Sequence, residues 1–351
     1  MPRPLTPLFN EEIRRGRPSP VPHIAVVPDC VPSLSLLDGI TYDGNIGDGV
    51  DGDAVVIDGS YAYVASYYNR FTVFDISDPA SLSVADSITS GDLNGVVSVI
   101  KDGDYCYVTA NDANSLCIID VSTPTSVSIV GVANDVGTVL SSPQGVAKVG
   151  DYCYVSGYQF VAIDVSTPTA PSVGSAISQV TINALSGMAV SGAYCFVCEQ
   201  LTDSVCVVDI STAGSPSYVT KATSATHLPD PRLLELDGSL LVASSKNGDR
   251  IGFLDVSTPT TPSVTGSFTE TKIDRPGGMV KSGDYLYVAT RPTGPDGIAV
   301  YDISDLGSVV FVDYYADPDN DWTFGSSSLA LSGSTLFLQA YYFASVDVGC
   351  P

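Results

Sequence analysis

Histidine is almost absent from this chain, with two among 351 residues, and positive charge is scarce, with 15 Lys and Arg against 39 Asp and Glu. A serine or cysteine nucleophile that needs an imidazole base would have to use His23 or His227. His23 lies near the start of the chain. His227 lies in HLPDPR, which contains no catalytic motif, so we expect it to be a solvent-exposed loop residue. The sequence predicts a protein that is not an enzyme.

Long apolar runs are also missing. No segment approaches the ~20 apolar residues of a membrane-spanning helix, and the first residues, MPRPLTPLFNEEIRRGRPSP, have no apolar core of a secretory signal. The formal net charge of −24 repels phosphate groups. We therefore expect no membrane span, no secretory signal and no nucleic-acid partner. A zinc site is not expected either. This expectation rests on the interpretation that the eight cysteines lack the C-x-x-C spacing of zinc ligands.

Glutamate is rare beside aspartate, since only 5 of the 39 acidic residues are Glu. Asp favours turns because its short carboxylate accepts hydrogen bonds from nearby backbone N–H groups. Thr, Ser, Val, Tyr, Gly and Pro dominate in place of the Ala, Glu, Lys and Leu that fill helices. The composition predicts an all-β fold.

One phrase recurs along the chain: an apolar strand that ends in Asp, followed by Val or Ile and usually Ser. Its copies are spaced 44 to 47 residues apart, which matches one four-stranded propeller blade of roughly 40–50 residues. An aromatic strand such as DYCYV precedes five of the copies after a Gly turn, so the Asp-terminated strand is predicted to be third in its blade. The seven aspartates are Asp75, Asp120, Asp164, Asp209, Asp255, Asp302 and Asp347. They predict a seven-bladed β-propeller.

These units, with phrases such as SYAYVA and CIIDVSTP, resemble the LVIVD repeat family over about residues 30–351. The resemblance implies a β-propeller of the kind found mostly on microbial surface or secreted proteins, without shared catalytic residues. The repeat aspartates could ring a cation. We favour the alternative, in which each one caps the turn after its strand by accepting backbone N–H bonds.

The last repeat supplies three strands before the chain ends, and residues 32–38 (PSLSLLD) match residues 80–86 (ASLSVAD). The N-terminal strand should therefore complete the last blade from outside. In this alignment Cys30 and Cys350 fall on one repeat position, which predicts a disulfide between them, with two free thiols as the alternative. Cys106, Cys153 and Cys195 share a strand position that suits buried thiols. Cys117 and Cys206 each lie 11 residues past Cys106 and Cys195 across a hairpin. The alternative is that they are neighbours of those cysteines, but we favour free thiols. We expect Cys198 to be buried as well.

Residues 1–29 do not fit the repeat and are assigned to an extended Pro- and Arg-rich docking arm, while residues 30–351 form the propeller. The arm has too few apolar residues to build a core of its own. Residues 1–27 are predicted to bind other protein chains of an assembly, with wrapping of the propeller's own acidic flank as the alternative. Four of the nine arginines lie here: Arg3, Arg14, Arg15 and Arg17.

Two Asp-rich loops could hold Ca²⁺, because carboxylates and carbonyls alternating with Gly let a loop curl around that ion. We favour ordinary turns for both, and Ca²⁺ is the only cofactor that the sequence raises. The first loop offers Asp43, Asn45, Asp48, Asp51 and Asp53, and the second offers Asp317, Asp319, Asn320 and Asp321.

An aromatic cluster is predicted where the last and first blades meet, on the face that carries the loops between the two middle strands. Aromatic side chains rimmed by Asp suit stacking on sugar rings or burial in a protein interface. The alternative is that they pack on one another. The residues are Trp322, Tyr341, Tyr342, Tyr67 and Tyr68.

Three functions follow from these features. The leading one is a non-catalytic structural and interaction module on the exterior of a large assembly, a virion in the first instance, anchored by the arm. The second is a secreted or cell-surface adhesin that binds glycan or protein through the aromatic face. A propeller hydrolase or lyase comes third because His and basic residues are scarce.

Overall fold

Each Asp-terminated repeat forms the third strand of a four-stranded antiparallel sheet, and seven such sheets are present. The computed structural model describes residues 31–40, 54–66, 68–134, 139–177, 185–290, 296–316, 328–339 and 343–349, and for Tyr68 it describes the backbone alone. Within these ranges the chain is strand and turn, apart from two short 3-10 turns at Gln200–Thr202 and Lys246–Gly248. No helix in the described ranges is long and apolar enough to cross a membrane. The predicted all-β, seven-bladed propeller is confirmed.

Strand β1 (Ser35–Ile40) comes first in the chain, and the blades follow in order, each given from its inner to its outer strand. They are blade 1, β2 (Ala54–Asp58), β3 (Tyr61–Ser66), β4 (Tyr68–Asp75) and β5 (Ser83–Asn94); blade 2, β6 (Val96–Asp102), β7 (Tyr105–Ala110), β8 (Ser115–Asp120) and β9 (Ser128–Asn134); blade 3, β10 (Val146–Val149), β11 (Tyr152–Val155), β12 (Phe160–Asp164) and β13 (Ser172–Ile177); blade 4, β14 (Leu185–Ser191), β15 (Tyr194–Glu199), β16 (Ser204–Asp209) and β17 (Ser217–Thr223); blade 5, β18 (Pro231–Asp237), β19 (Leu240–Ser245), β20 (Arg250–Asp255) and β21 (Ser263–Phe268); blade 6, β22 (Met279–Ser282), β23 (Tyr285–Thr290), β24 (Gly297–Asp302) and β25 (Val310–Ala316); and blade 7, β26 (Ser328–Ser332), β27 (Thr335–Gln339) and β28 (Phe343–Asp347).

The first strand of the chain closes the ring. The sheet of blade 7 has the order β1-β28-β27-β26, with Ser35 opposite Asp347 and Ile40 opposite Phe343. The inner strands contact one another in ring order, and β26 contacts β2. The core lies between blades, as where Phe74 of blade 1 stacks on Phe343 of blade 7 with ring centroids 4.3 Å apart. The predicted closure by the N-terminal strand is confirmed.

The ring has two faces. The turns from the first to the second strand and from the third to the fourth lie on one face, which we call the short-turn face. The first of these turns has glycine in the left-handed conformation in every blade, a backbone that lacks the Cβ penalty. The other face, which we call the long-loop face, carries the loops between the second and third strands and those leading to the next inner strand.

The repeat aspartates cap the turns of the short-turn face. In each of the seven blades the carboxylate accepts the backbone N–H of the residue two positions on, as where Ser77 N donates to Asp75 Oδ1 at 2.9 Å. The hydroxyl of Ser77, and then its N–H, lower the pKa of Asp75. The turn-capping interpretation of these residues is confirmed.

Lysine clamps also join blades on the short-turn face. Lys101 Nζ of blade 2 lies 2.6 Å from Asp58 Oδ2 of blade 1 and above the ring of Tyr63. The same arrangement joins blades 3 and 2 through Lys148 and Asp102. Lys281 and Asp237 join blades 6 and 5. Because each lysine side chain is mostly buried and its carboxylate is exposed, the aliphatic stem packs between blades while the charge reaches water.

The outer strands carry a second kind of link between blades. Each has a β-bulge near its start. In blade 7, Asp38 Oδ2 accepts the backbone N–H of Leu82 in blade 1 at 2.7 Å. The same bond joins Asp86 to Val127 N, and Asp313 to Leu34 N, at 2.8 Å each. These carboxylate clasps link blade 6 to 7, 7 to 1, and 1 to 2, around the point of closure.

The six described cysteines, Cys106, Cys117, Cys153, Cys195, Cys198 and Cys206, are free and buried, as predicted. Burial raises the pKa of the thiols of Cys117 and Cys153 to about 12. One correction concerns spacing, because Cys195 and Cys198 form a C-x-x-C pair on β15. Residues three apart on a strand face opposite sides of the sheet, so this pair does not present two thiols to one metal ion.

Cys30 and Cys350 lie outside the described residues, so their disulfide stays a prediction. The residues beside them do meet, because Ser33 N donates to Val348 O at 3.0 Å. The domain boundary at residue 29 and the arm, with Arg3, Arg14, Arg15 and Arg17, also fall outside the described ranges and stay predictions.

Candidate binding face

The long-loop face is where the predicted binding residues belong by chain order. Residues 41–53 connect β1 to β2, residues 317–327 connect β25 to β26, and residues 340–342 connect β27 to β28. Four of the predicted residues lie outside the described residues, namely Trp322, Tyr341, Tyr342 and Tyr67. Tyr68 is the first residue of β4, and its side chain is not described. The aromatic cluster stays a prediction.

The two candidate calcium loops also lie outside the described residues, namely Asp43–Asp53 and Asp317–Asp321. Within the described ranges no three His, Cys, Asp or Glu side chains are grouped to hold a metal ion. Calcium binding by the two loops stays a prediction.

A ring of left-handed residues builds the described part of this face. All seven described non-glycine residues with positive φ lie here, at two loop positions. Asn and Asp tolerate this conformation better than other L-residues, for which it costs about 1–2 kcal/mol. Asn114, Asp203 and Asp249 come just before the third strand of their blades, and Asn69 is the second residue of β4. The loop to the next inner strand holds Ser142, Asp230 and Arg275.

These two positions bond to each other across blades. Asn114 Oδ1 accepts the backbone N–H of Ser142 at 2.9 Å. Asp203 accepts Asp230 N, and Asp249 accepts Arg275 N, also at 2.9 Å. At these three places the left-handed backbone is fixed by side-chain acceptors, and the two loops that each bond joins form a preorganised frame rather than independent segments.

A buried carboxylate lies in the frame at blade 4. Glu199, at the end of β15, accepts hydrogen bonds from Lys221 Nζ at 2.8 Å and from Thr202 Oγ1 at 2.5 Å. The thiol of Cys206 lies 3.5 Å from the same oxygen. Burial, and then the charge of Glu199, raise the pKa of the Cys206 thiol. The group is a satisfied ion pair that holds a loop, and its thiol is a poor nucleophile.

His227 is half-buried rather than solvent-exposed, so that expectation was wrong. Its ring Nδ1 lies 2.8 Å from Ser267 Oγ on the outer strand of blade 5, and Arg250 Nη1 donates to the same hydroxyl at 2.9 Å. His227 lies in the loop from blade 4 to blade 5, and this hydrogen bond holds its ring against β21. The partner is 40 residues away in sequence, so no local pattern around HLPDPR could have revealed it.

The His227–Ser267 pair contains two of the three groups of a nucleophilic triad. A triad also needs a carboxylate that orients the imidazole. Among the described residues none is hydrogen-bonded to the His227 ring. The arrangement can act as a polar strut between two blades.

The left-handed Asn and Asp residues of the long-loop face were not predicted from the sequence. An alignment of the loops that counts backwards from the start of each third strand would have revealed them.

The LVIVD repeat family matches residues 51–90, 96–135, 142–176, 185–223 and 279–317, together more than half of the chain. These matches cover blades 2, 4 and 6 in full and blades 1 and 3 except for the last residues of their outer strands. A search of curated proteins found no match.

Three solved structures illustrate the shared fold. A functionally unknown protein from Desulfotomaculum acetoxidans DSM 771 superposes with a TM-score of 0.63 at 18% identity, over 80% of this chain and 89% of that one. The β-propeller domain of Myceliophteria thermophila Cps50 (Swd1) gives 0.65 at 11%, over 90% and 100%. A candidate 6-phosphogluconolactonase from Bacteroides uniformis ATCC 8492 gives 0.64 at 14%, over 77% and 84%. At these identities the likeness concerns the fold alone.

Proposed function

The chain belongs to the LVIVD repeat family, and we propose that it is a non-catalytic interaction module on the exterior of a large assembly, a virion in the first instance. It would be anchored there by residues 1–29. The observation that carries this proposal is the position of β1. Because β1 is the outermost strand of blade 7, the described chain begins at the rim of the ring, where residues 1–29 would be attached.

The geometry at the rim favours contact with another chain. Val31 is 64% exposed, and an extended segment of 30 residues can reach up to about 100 Å. The ring closes through Ser33, Leu34 and β1, all of which follow the arm. The arm can therefore bind elsewhere without opening the propeller.

The test follows tagged copies through sedimentation of particles from the native source. The full chain is expected in the particle fractions, and the chain without residues 1–29 is expected to remain free. Circular dichroism and thermal melting of the truncated protein serve as the control that the propeller is still folded. A full chain that sediments as free protein, or a truncated chain that assembles normally, would contradict the proposal.

A second candidate is an adhesin, in which the long-loop face binds glycan or protein. The observation that favours it is that hydrogen bonds fix the loops of this face at blades 2, 4 and 5. Loops fixed in the same way at blade 7 would present Trp322, Tyr341 and Tyr342 without a large entropic cost on binding. A glycan array separates the two candidates. Binding that disappears with Trp322→Ala and Tyr341→Ala supports the adhesin, and an array without signal leaves the assembly module.

A further inference from the structure

Three neighbouring blades expose apolar side chains on their outer strands. The second residue of the outer strand is Leu36 in blade 7, Val84 in blade 1 and Phe311 in blade 6, and these are 45%, 45% and 42% exposed. Leu37 and Val310 beside them are exposed as well. We call the outer surface of blades 6, 7 and 1 the closure wall. Exposed apolar side chains on neighbouring blades make this side of the ring a candidate interaction surface.

The same strand position is covered in the other four blades. Its residues there are half-buried: Ile129, Val173, Tyr218 and Val264. The exposure of the closure wall is therefore not a general property of the repeat. It belongs to one side of the ring, the side that contains β1, the first described strand of the chain.

The strands of the closure wall carry only acidic charge of their own, although Lys272 of the loop before blade 6 lies over the ring of Tyr314 on β25. Residues 31–40, 75–92 and 302–316, which contain its strands and the turns before them, have no Lys or Arg. They contain eight aspartates: Asp38, Asp75, Asp78, Asp86, Asp92, Asp302, Asp305 and Asp313. Apolar anchors surrounded by one sign of charge select a partner that combines apolar side chains with positive charge.

The outer edges of β1, β5 and β25 are open to such a partner. Each is the last strand of its sheet, and within the described residues no strand pairs with its outer side. An extended segment can add to an open edge through backbone hydrogen bonds while alternate side chains contact the wall.

The chain itself contains a segment of this chemistry. Residues 1–29 have four arginines and no lysine, three acidic residues, and apolar side chains that include Leu8, Phe9 and Ile13. We propose that the closure wall is the docking site for the arm of a second copy of this chain, so that copies join arm to wall. This rests on the proposed function of the arm and adds the surface that receives it.

The test uses full-length chains in sedimentation velocity and pairs two variants. The wall variant carries Leu36→Lys and Phe311→Lys, and the arm variant carries Arg14→Glu, Arg15→Glu and Arg17→Glu. Leu201→Lys is the matched control, since Leu201 is 71% exposed on blade 4, away from the wall. Thermal melts verify that all variants fold.

The unmodified chain and the Leu201→Lys control are expected to self-associate, and more weakly at high salt. Each variant alone should associate at least tenfold more weakly. Mixing the two variants should give a dimer with one copy of each, because one supplies an intact arm and the other an intact wall.

Three results would overturn the proposal. An unmodified chain that stays monomeric would mean that the arm covers its own wall or binds a different protein. An arm variant that still associates would indicate wall-to-wall packing. A mixture without the one-to-one dimer would remove the arm as the occupant. If full chains enter particles and yet any of these results is found, the arm still anchors the protein and only the docking site is wrong.

Discussion

Blades 7 and 2 begin their outer strands alike but differ at the fourth residue, which is Asp38 in blade 7 and Gly131 in blade 2. Asp38 reaches the next blade with its carboxylate and accepts Leu82 N at 2.7 Å. At Gly131 the next blade comes close enough that a Cβ would lie 2.0 Å from Pro168 O. One repeat position thus joins neighbouring blades either through a side chain or through direct backbone packing.

The presence or absence of the clasp divides the ring into two sides. The blades with Asp at the fourth position are blades 6, 7 and 1, and the same three expose the second residue of that strand. The other four have Gly, Ser or Thr there and keep the second residue half-buried. The blades that are linked by carboxylate clasps are therefore the same blades that expose apolar side chains. On this side of the ring, the blades are held together by the clasps while their outer surface is available to a partner.

The largest effect is expected from a covalent link at the closure. If Cys30 and Cys350 form a disulfide, it closes a loop of about 320 residues. By restricting the unfolded chain, such a bond should raise the free energy of unfolding by about 5 kcal/mol. Reduction should lower the melting temperature, and Cys350→Ser should lower it equally and remove the response to reductant. An unlinked Cys30 peptide in non-reducing mass spectrometry, together with a melt that ignores reductant, would show that strand pairing alone closes the ring.

The next effect is the loss of one clasp. Asp38→Ala leaves the N–H of Leu82 without its charged acceptor, and it should lower the free energy of unfolding by about 1.5–3 kcal/mol in urea titrations. Asp38→Asn keeps an acceptor at the same place and should cost less. Thr220→Ala is the matched change at the fourth position of blade 4, where no clasp is present. Equal losses at Asp38 and Thr220 would show that the clasp does not stabilise the closure.

The sequence predicted the blades because the strand, turn and Asp signals recur locally at one period. It also predicted the closure, since residues 32–38 match an outer strand of the next repeat. The clasps were missed because Asp38, Asp86 and Asp313 resemble ordinary turn residues and their acceptor role is set by the neighbouring blade. His227 was misjudged for the same reason, because its partner Ser267 lies across a blade boundary.

The contact between blades 2 and 3 at Gly131, on the side of the ring without clasps, is tested by adding a methyl group there. Gly131→Ala places a methyl group against Pro168 O, so the backbone must shift, and a loss of about 1–3 kcal/mol in unfolding free energy is expected. Gly266 has the same strand position in blade 5, and a Cβ there meets no atom within 4 Å. Gly266→Ala should be neutral or stabilise by up to about 1 kcal/mol. Similar outcomes at both sites would mean that blade 3 does not depend on this contact.

The smallest effect per residue concerns acid. Serine hydroxyl and N–H groups lower the pKa of Asp75 and Asp120 in the folded protein. This stabilisation is complete above the unfolded pKa of about 3.9 and is lost as the pH falls through the lower folded pKa. Urea titrations between pH 6 and 2.5 should show it, although protonation also relieves repulsion among the other acids. Asp75→Asn with Asp120→Asn should flatten the loss below pH 4, and an unchanged slope would contradict the account.

The most direct test of the two-sided ring is hydrogen–deuterium exchange on the full chain, at a dilution where copies are separate and at a concentration where they associate. Association through the closure wall should slow exchange in β1, β5 and β25 and leave β9, β17 and β21 unchanged. Protection of β9, β17 or β21, or no change in any outer strand, would contradict the claim that blades 6, 7 and 1 form the binding side of this propeller.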